Sequence, residues 1–300
     1  MIEEAVKFLL ESQNSDGGWG ATQGRKSNTE ATALSLLALR DPSSSSASAA
    51  VEKGLAWLAS QQRQDGSWPL SEQVQESSWM SAFAVLAVTA FASHHQHALK
   101  GAEWLEQQKG RVAPPEFKRQ YLEAPQTMLV PLDPTLEGWA WVDGAYSWVE
   151  PTSYSMLALK KLTPHPQRTL HKERIHNGEL LLYGRMCKKG GWNYGNPIAF
   201  GEELKPYPDT TAVTLIALQD HQTNEANQKS LAVLQAMVAQ VHSGLTLSWA
   251  ILCFALYGQD VSQWQRFLTD SYEKTGFLGE TKTVALALLA LQNGVEVFRV

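Results

Sequence analysis

Apolar residues recur at spacings of three and four along nearly the whole chain, the period of a helix packed on one side. These segments come in two kinds that alternate. One kind, as in "AVKFLLESQ" and "VEKGLAWLASQQ", carries a single apolar stripe and a polar face, which suits an outer layer. The other, as in "NTEATALSLLALRD", "PDTTAVTLIALQ" and "LTLSWAILCFALYG", is almost uncharged beyond its first turn and is expected to be buried on most sides. No stretch shows a convincing period of two. Glycine and asparagine in the connecting turns tolerate positive φ and stop helices there.

The alternation is a repeat, read six times: approximately 1–41, 47–92, 96–162, 171–220, 224–258 and 260–294. Six outer and six inner helices predict an all-α fold, an (α/α)6 toroid forming one domain over 1–300, with the inner helices around a central cavity. The turns carry Trp19, Trp68, Trp139 and Trp192, expected to pack between repeats because they recur with the fold. The fifth turn has lost its tryptophan and the sixth has Phe277 instead. One insert, 110–138, breaks the period; it is long and proline-rich, and is a candidate lid, partner site or membrane-docking element.

If the inner helices are equivalent, they can be aligned on their closing Ala-Leu. Eight residues before that alanine stand Glu30, Trp79, Glu150, Asp209, Leu247 and Lys282. Three of the six are carboxylates, and they are expected to share one mouth of the cavity. Mutual repulsion and an apolar wall both raise a carboxyl pKa. A protonated carboxyl facing an apolar cavity can act as a general acid toward an alkene, and aromatic faces stabilise the resulting cation. Trp79, Phe83, Trp148, Tyr154, Tyr207 and Trp249 are the candidate wall, with Lys282 as the cation of the mouth. A plainer reading stands beside this one. Asp209 precedes Thr-Thr-Ala where an N-cap is favoured, and Glu150 precedes Pro151 where a carboxylate complements a helix dipole.

The turns "LLESQNSDGGWG" and "WLASQQRQDGSW" resemble the Gln–Trp repeats of squalene–hopene and oxidosqualene cyclases, and of protein prenyltransferase β subunits. The resemblance implies a terpenoid cyclase or isomerase that starts carbocation chemistry on an isoprenoid by protonation, without metal or cofactor. The cyclase motif Asp-x-Asp-Asp-Thr-Ala matches "YPDTTA", so the resemblance makes Asp209 the proton donor, with Glu150 as its partner and Glu30 the third acid. Tyr207 and Thr210 replace the two flanking aspartates. That departure implies a second reading, a non-catalytic toroid binding an isoprenoid, another lipid or a partner. A prenyltransferase β-like subunit is the third. There Asp143 is followed by Ala145 where the family's zinc-binding cysteine stands, so no metal site is expected.

Composition narrows the setting. At 44% hydrophobic and 18% charged, with a formal charge of −5, the chain is globular and has no basic footprint for nucleic acid. Two cysteines suit a reducing compartment, and the acidic amphipathic start is unlike a signal peptide. The expectation is a cytoplasmic protein with an apolar small-molecule partner; residues 117–137 are a candidate for peripheral contact with a membrane surface.

Overall fold

The computed structural model describes residues 1–40, 45–74, 76, 79–162 and 170–300. Among these, six buried helices form an inner ring: α2 (Thr29–Ala38), α4 (Met80–Thr89), α7 (Val149–Leu162), α9 (Pro208–Ala217), α11 (Gly244–Leu256) and α13 (Thr281–Leu291). Six helices form the outer layer: α1 (Ile2–Glu11), α3 (Ser45–Gln61), α5 (His95–Gln107), α8 (Leu170–Gly184), α10 (Glu225–Val238) and α12 (Ser262–Thr275). A thirteenth helix, α6 (Pro115–Glu123), belongs to the insert.

Each inner helix packs on the next, and α13 returns to α2, so the ring closes. The seam is tied by the Thr281 amide, which donates to the Ala21 carbonyl at 2.9 Å. The sequence pairs each outer helix with the inner helix after it, whereas the packing is offset. Every inner helix lies mainly on the outer helix that follows it, and α13 on α1. The physical reason is the turn. Its tryptophan sits between its own outer helix, the inner helix after it and the next outer helix, as Trp19 does with Leu9, Thr32 and Gly54.

The four turn tryptophans use one arrangement. The indole Nε1 of Trp19, Trp68, Trp139 and Trp192 donates to the carbonyls of Leu9, Leu58, Leu105 and Leu182 at 2.6–2.7 Å. Their backbone amides donate to hydroxyls on the following inner helix, Thr32, Ser81, Thr152 and Thr211, at 2.9–3.0 Å. Gln13 Nε2 joins its turn to the next outer helix, donating to Gly17 O and Ala50 O at 2.8 Å each. The rim of the Trp19 ring rests on Gly54 of α3, where an added Cβ would meet it at 2.6 Å. Gly54→Ala is therefore expected to lower stability by about 1–3 kcal/mol through overpacking, in spite of alanine's better helix propensity; a urea melt of the variant checks this. Phe277 takes over in the sixth turn with φ +49°, its ring against Gly244.

The insert folds back on itself. The Gly110 amide donates to Gly138 O at 3.3 Å, and the Phe200 amide reaches Leu129 O at 2.6 Å. Phe200 and Gly201 form the turn of a two-residue hairpin, Ile198–Ala199 with Glu202–Glu203, both at positive φ as such a turn requires. At the opposite end, Lys161 Nζ donates to Glu296 O and Arg299 O at 2.6 Å each, and Gln219 Nε2 donates to Phe298 O at 2.8 Å. The C-terminal segment thus covers the far ends of α7 and α9. No helix of the described residues is long and apolar enough to cross a membrane.

Candidate active site

The mouth is built by helix N-termini. Glu30, Glu150, Asp209 and Lys282 are each the second residue of an inner helix, so the fold presents them at equivalent heights. Trp79 is the N-cap of α4, two residues earlier in register, and Leu247 is the fourth residue of α11 and buried. The positive end of each helix dipole favours an acid there. Asp209 is not the cap: the N-cap of α9 is Tyr207, Pro208 takes the first helical position, and Asp209 follows it. Proline fits that position because it has no N–H to leave unpaired.

Glu150 is the group whose surroundings are unusual. Burial raises its pKa, and the neighbouring Asp209 charge raises it further, to about 7. A hydrogen bond from Thr210 Oγ1 to Glu150 Oε1 at 3.1 Å, and the more distant Lys282 ammonium, act weakly the other way. Glu30 is also raised, first by burial, against the opposing effect of Lys282. Lys282 Nζ lies 3.8 Å from Glu30 and 3.7 Å from Glu280. Glu280 is the N-cap residue of α13 and accepts from the Thr283 hydroxyl. It completes the acid group and was not singled out in the sequence, because it caps its helix where the other acids stand two residues further on. Tyr194 and Tyr207 form the exposed rim, ring centroids 5.0 Å apart, and the Tyr194 hydroxyl is raised by burial and by the Asp209 and Glu150 charges.

Below the acids the axis of the ring is filled. Trp79 stacks on Tyr154 at 5.4 Å, Phe83 lies 4.6 Å from Tyr154, and Tyr154 is 6.0 Å from Trp249. Phe298 continues the column at 5.4 Å from Trp249 and is fully buried, so the C-terminal segment plugs the far side. Phe83, Tyr154 and Trp249 are buried among one another, and the half-buried Trp79 is the part of the column nearest the mouth. Trp148 stands apart from the column. Its ring lies against Gly195 and lines a separate cavity under the insert. Of the predicted wall, four aromatics meet, Tyr207 stays on the rim, and Trp148 faces elsewhere.

Among the described residues, three metal-ligand types come together away from the mouth: Glu179, Asp220 and His221. The Lys160 ammonium is already seated on them, 2.7 Å from Glu179 and 2.6 Å from Asp220. A buried lysine satisfied in this way is a structural charge network.

A closed ring of parallel inner helices with an acidic mouth defines an (α/α)6 toroid. Within that class, residues 1–78 match the squalene–hopene cyclase C-terminal domain family. The type II terpene cyclase MstE from Scytonema superposes with TM-score 0.59 at 15% identity, covering 99% of this chain and 97% of that one. The fold is shared more widely. The α-1,6-mannanase GH76A of Salegentibacter superposes with TM-score 0.63 at 11% identity, covering 99% of this chain and 100% of its own. An α-amylase from Clostridium perfringens gives TM-score 0.65 at 11% identity, covering 97% of each chain. At these identities the likeness is one of fold. No curated protein matches the sequence.

Proposed function

We propose that the protein protonates the end of an isoprenoid chain at this mouth, with Glu150 as the general acid. The observation that carries the reading is the Glu150 carboxyl, raised to about 7 beside Asp209 and above an aromatic column. An acid with a pKa near the working pH combines a useful protonated fraction with strength enough to give the proton up. This exchanges the roles that the family motif implied for Glu150 and Asp209.

In the first step the Glu150 O–H bond breaks and a C–H bond forms at the less substituted alkene carbon, leaving a tertiary cation. Trp79 and Tyr154, at the mouth end of the column, are the aromatic groups offered to stabilise it. Loss of a proton from an adjacent carbon to the Asp209 carboxylate then gives a double-bond isomer, and transfer of that proton back to Glu150 restores the site. Because Phe83, Tyr154, Trp249 and Phe298 fill the axis, the reaction at the mouth is limited to the chain end. Isomerisation therefore fits better than the enclosure of a polycyclic product. None of these steps calls on a metal or cofactor.

The test is incubation with squalene and a panel of prenyl alcohols and diphosphates in D2O, followed by mass spectrometry. A deuterium-bearing isomer is expected, lost by about 100-fold or more in Glu150→Gln and reduced in Asp209→Asn. An equal rate in Glu150→Gln would remove Glu150 as the acid. The filled axis favours one second reading, a binding toroid; prenyl chains retained without turnover by wild type and both variants would support it instead.

A further inference from the structure

The insert forms an open-sided cavity against the ring, of about 350 Å3, within the range of about 300–1,000 Å3 usual for small-molecule sites. Its apolar lining comes from Phe117, Val130, Leu132 and Leu136 of the insert and from Trp148 of the ring. Two arginines line it as well, Arg111 and Arg185. Arg185 is only 8% exposed. Its Nη1 donates to Gly195 O at 2.9 Å and to Asn196 Oδ1 at 3.2 Å. Its Nε is buried, and neither Nε nor Nη2 donates to any of the described residues. A guanidinium offers five N–H donors, so this one is incompletely used at the wall of an apolar cavity.

The remaining charge around it does not complete the set. Asp133 is the carboxylate of the lining, and its Oδ1 accepts from the Thr135 amide at 2.8 Å and the Thr135 hydroxyl at 2.6 Å. Among the described residues it forms no ion pair with either arginine. Arg111 lies over the exposed Tyr146 ring at 5.6 Å. Burial lowers the Arg185 pKa to about 10, with Asp133 weakly opposing, so the group stays charged at neutral pH. The cavity thus carries two positive charges and one negative, in a chain of formal charge −5.

We propose that this cavity binds an apolar small molecule ending in a carboxylate, the head on Arg185 and Arg111 and the tail between Leu132 and Leu136. A carboxylate accepts charge-assisted N–H bonds from a guanidinium, and the Nη2 left free by Gly195 and Asn196 is the donor of Arg185 it would meet. The site is separate from the mouth and does not depend on the alkene chemistry.

Calorimetric titration with laurate, dodecanol and inorganic phosphate, below micelle-forming concentrations, tests the assignment. Laurate is expected to bind at least about tenfold more tightly than dodecanol, from a charged hydrogen bond made at one end only, and phosphate not to bind measurably. Leu132→Trp, which fills the cavity from the insert, is expected to weaken laurate at least about tenfold while leaving the melting temperature of the ring unchanged. Arg185→Met is expected to remove the preference for laurate over dodecanol; should it fail to fold, the laurate–dodecanol pair and Leu132→Trp decide. Absence of laurate binding, equal binding of dodecanol, phosphate binding as tight as laurate, or laurate binding undiminished in Leu132→Trp would each overturn the proposal.

Discussion

At pH 8, Glu150→Gln is expected to be more stable than the wild type by about 3 kcal/mol, and at pH 4 the two should be equal. The folded pKa of about 7 lies above the ordinary value of 4.5. Between those two values the folded state therefore binds more protons than the unfolded chain. The slope of stability against pH is then negative: stability is full below pH 4.5, falls as pH rises through 7, and stays low above it. Glutamine mimics the neutral carboxyl, keeps an oxygen for the Thr210 hydroxyl and has no charge to lose. The raised pKa of Glu30 adds a smaller loss of the same sign. Thermal melts of both proteins across pH 4–8 check the slope. A wild type that gains stability from pH 5 to 8, with no effect of the substitution, would show that Glu150 is an ordinary dipole-complementing acid.

Trp19→Ala is expected to cost about 3–5 kcal/mol from lost burial and the residual cavity. It also orphans the Leu9 carbonyl, which accepts from the indole at 2.7 Å, and removes the contact on which Gly54 of α3 depends. An unpaired buried acceptor adds about 1–3 kcal/mol. For a protein whose whole stability is of order 5–15 kcal/mol, such a loss brings the ring near unfolding. Trp19→Phe restores most of the volume but not the N–H, so its cost should approach the hydrogen-bond part alone. Urea denaturation of the two variants separates the terms. Losses below about 1 kcal/mol in both would contradict the role given to the turn tryptophans.

Much of this was legible in the sequence because the repeat is local. A stripe on the outer helices and uncharged inner helices require only neighbours of known kind, and the number of repeats closes the ring. Aligning the inner helices on Ala-Leu placed Glu30, Glu150, Asp209 and Lys282 at one mouth, and all four are second residues of their helices. Trp79 and Leu247 fall out of register because their helices begin differently: α4 starts after Trp79 as cap, and α11 starts early, from the Ser243 cap, without a tryptophan turn. The cap itself was misread at Asp209, since a proline between Tyr207 and Asp209 moves the helix start back. What stayed hidden depends on contacts distant in the chain. Phe298 enters the axis only because Gln219 and Lys161 hold the C-terminal segment across the ring. Trp148 packs on Gly195, and Arg185 borders a cavity shared with an insert whose fold no period predicts. The raised pKa of Glu150 was likewise closed to pattern reading, because its burial and the neighbouring Asp209 charge set it.

The central claim is that Glu150 holds its proton near neutral pH at the mouth of the ring. Carbon-13 NMR of the protein labelled at the glutamate carboxyl carbons tests it directly, with the resonance assigned by its absence in Glu150→Gln. An inflection near pH 7, moving down in Asp209→Asn as the neighbouring charge is removed, is the predicted result. An inflection near 4.5, unmoved by Asp209→Asn, would contradict the account and leave the mouth a ring of helix-complementing carboxylates.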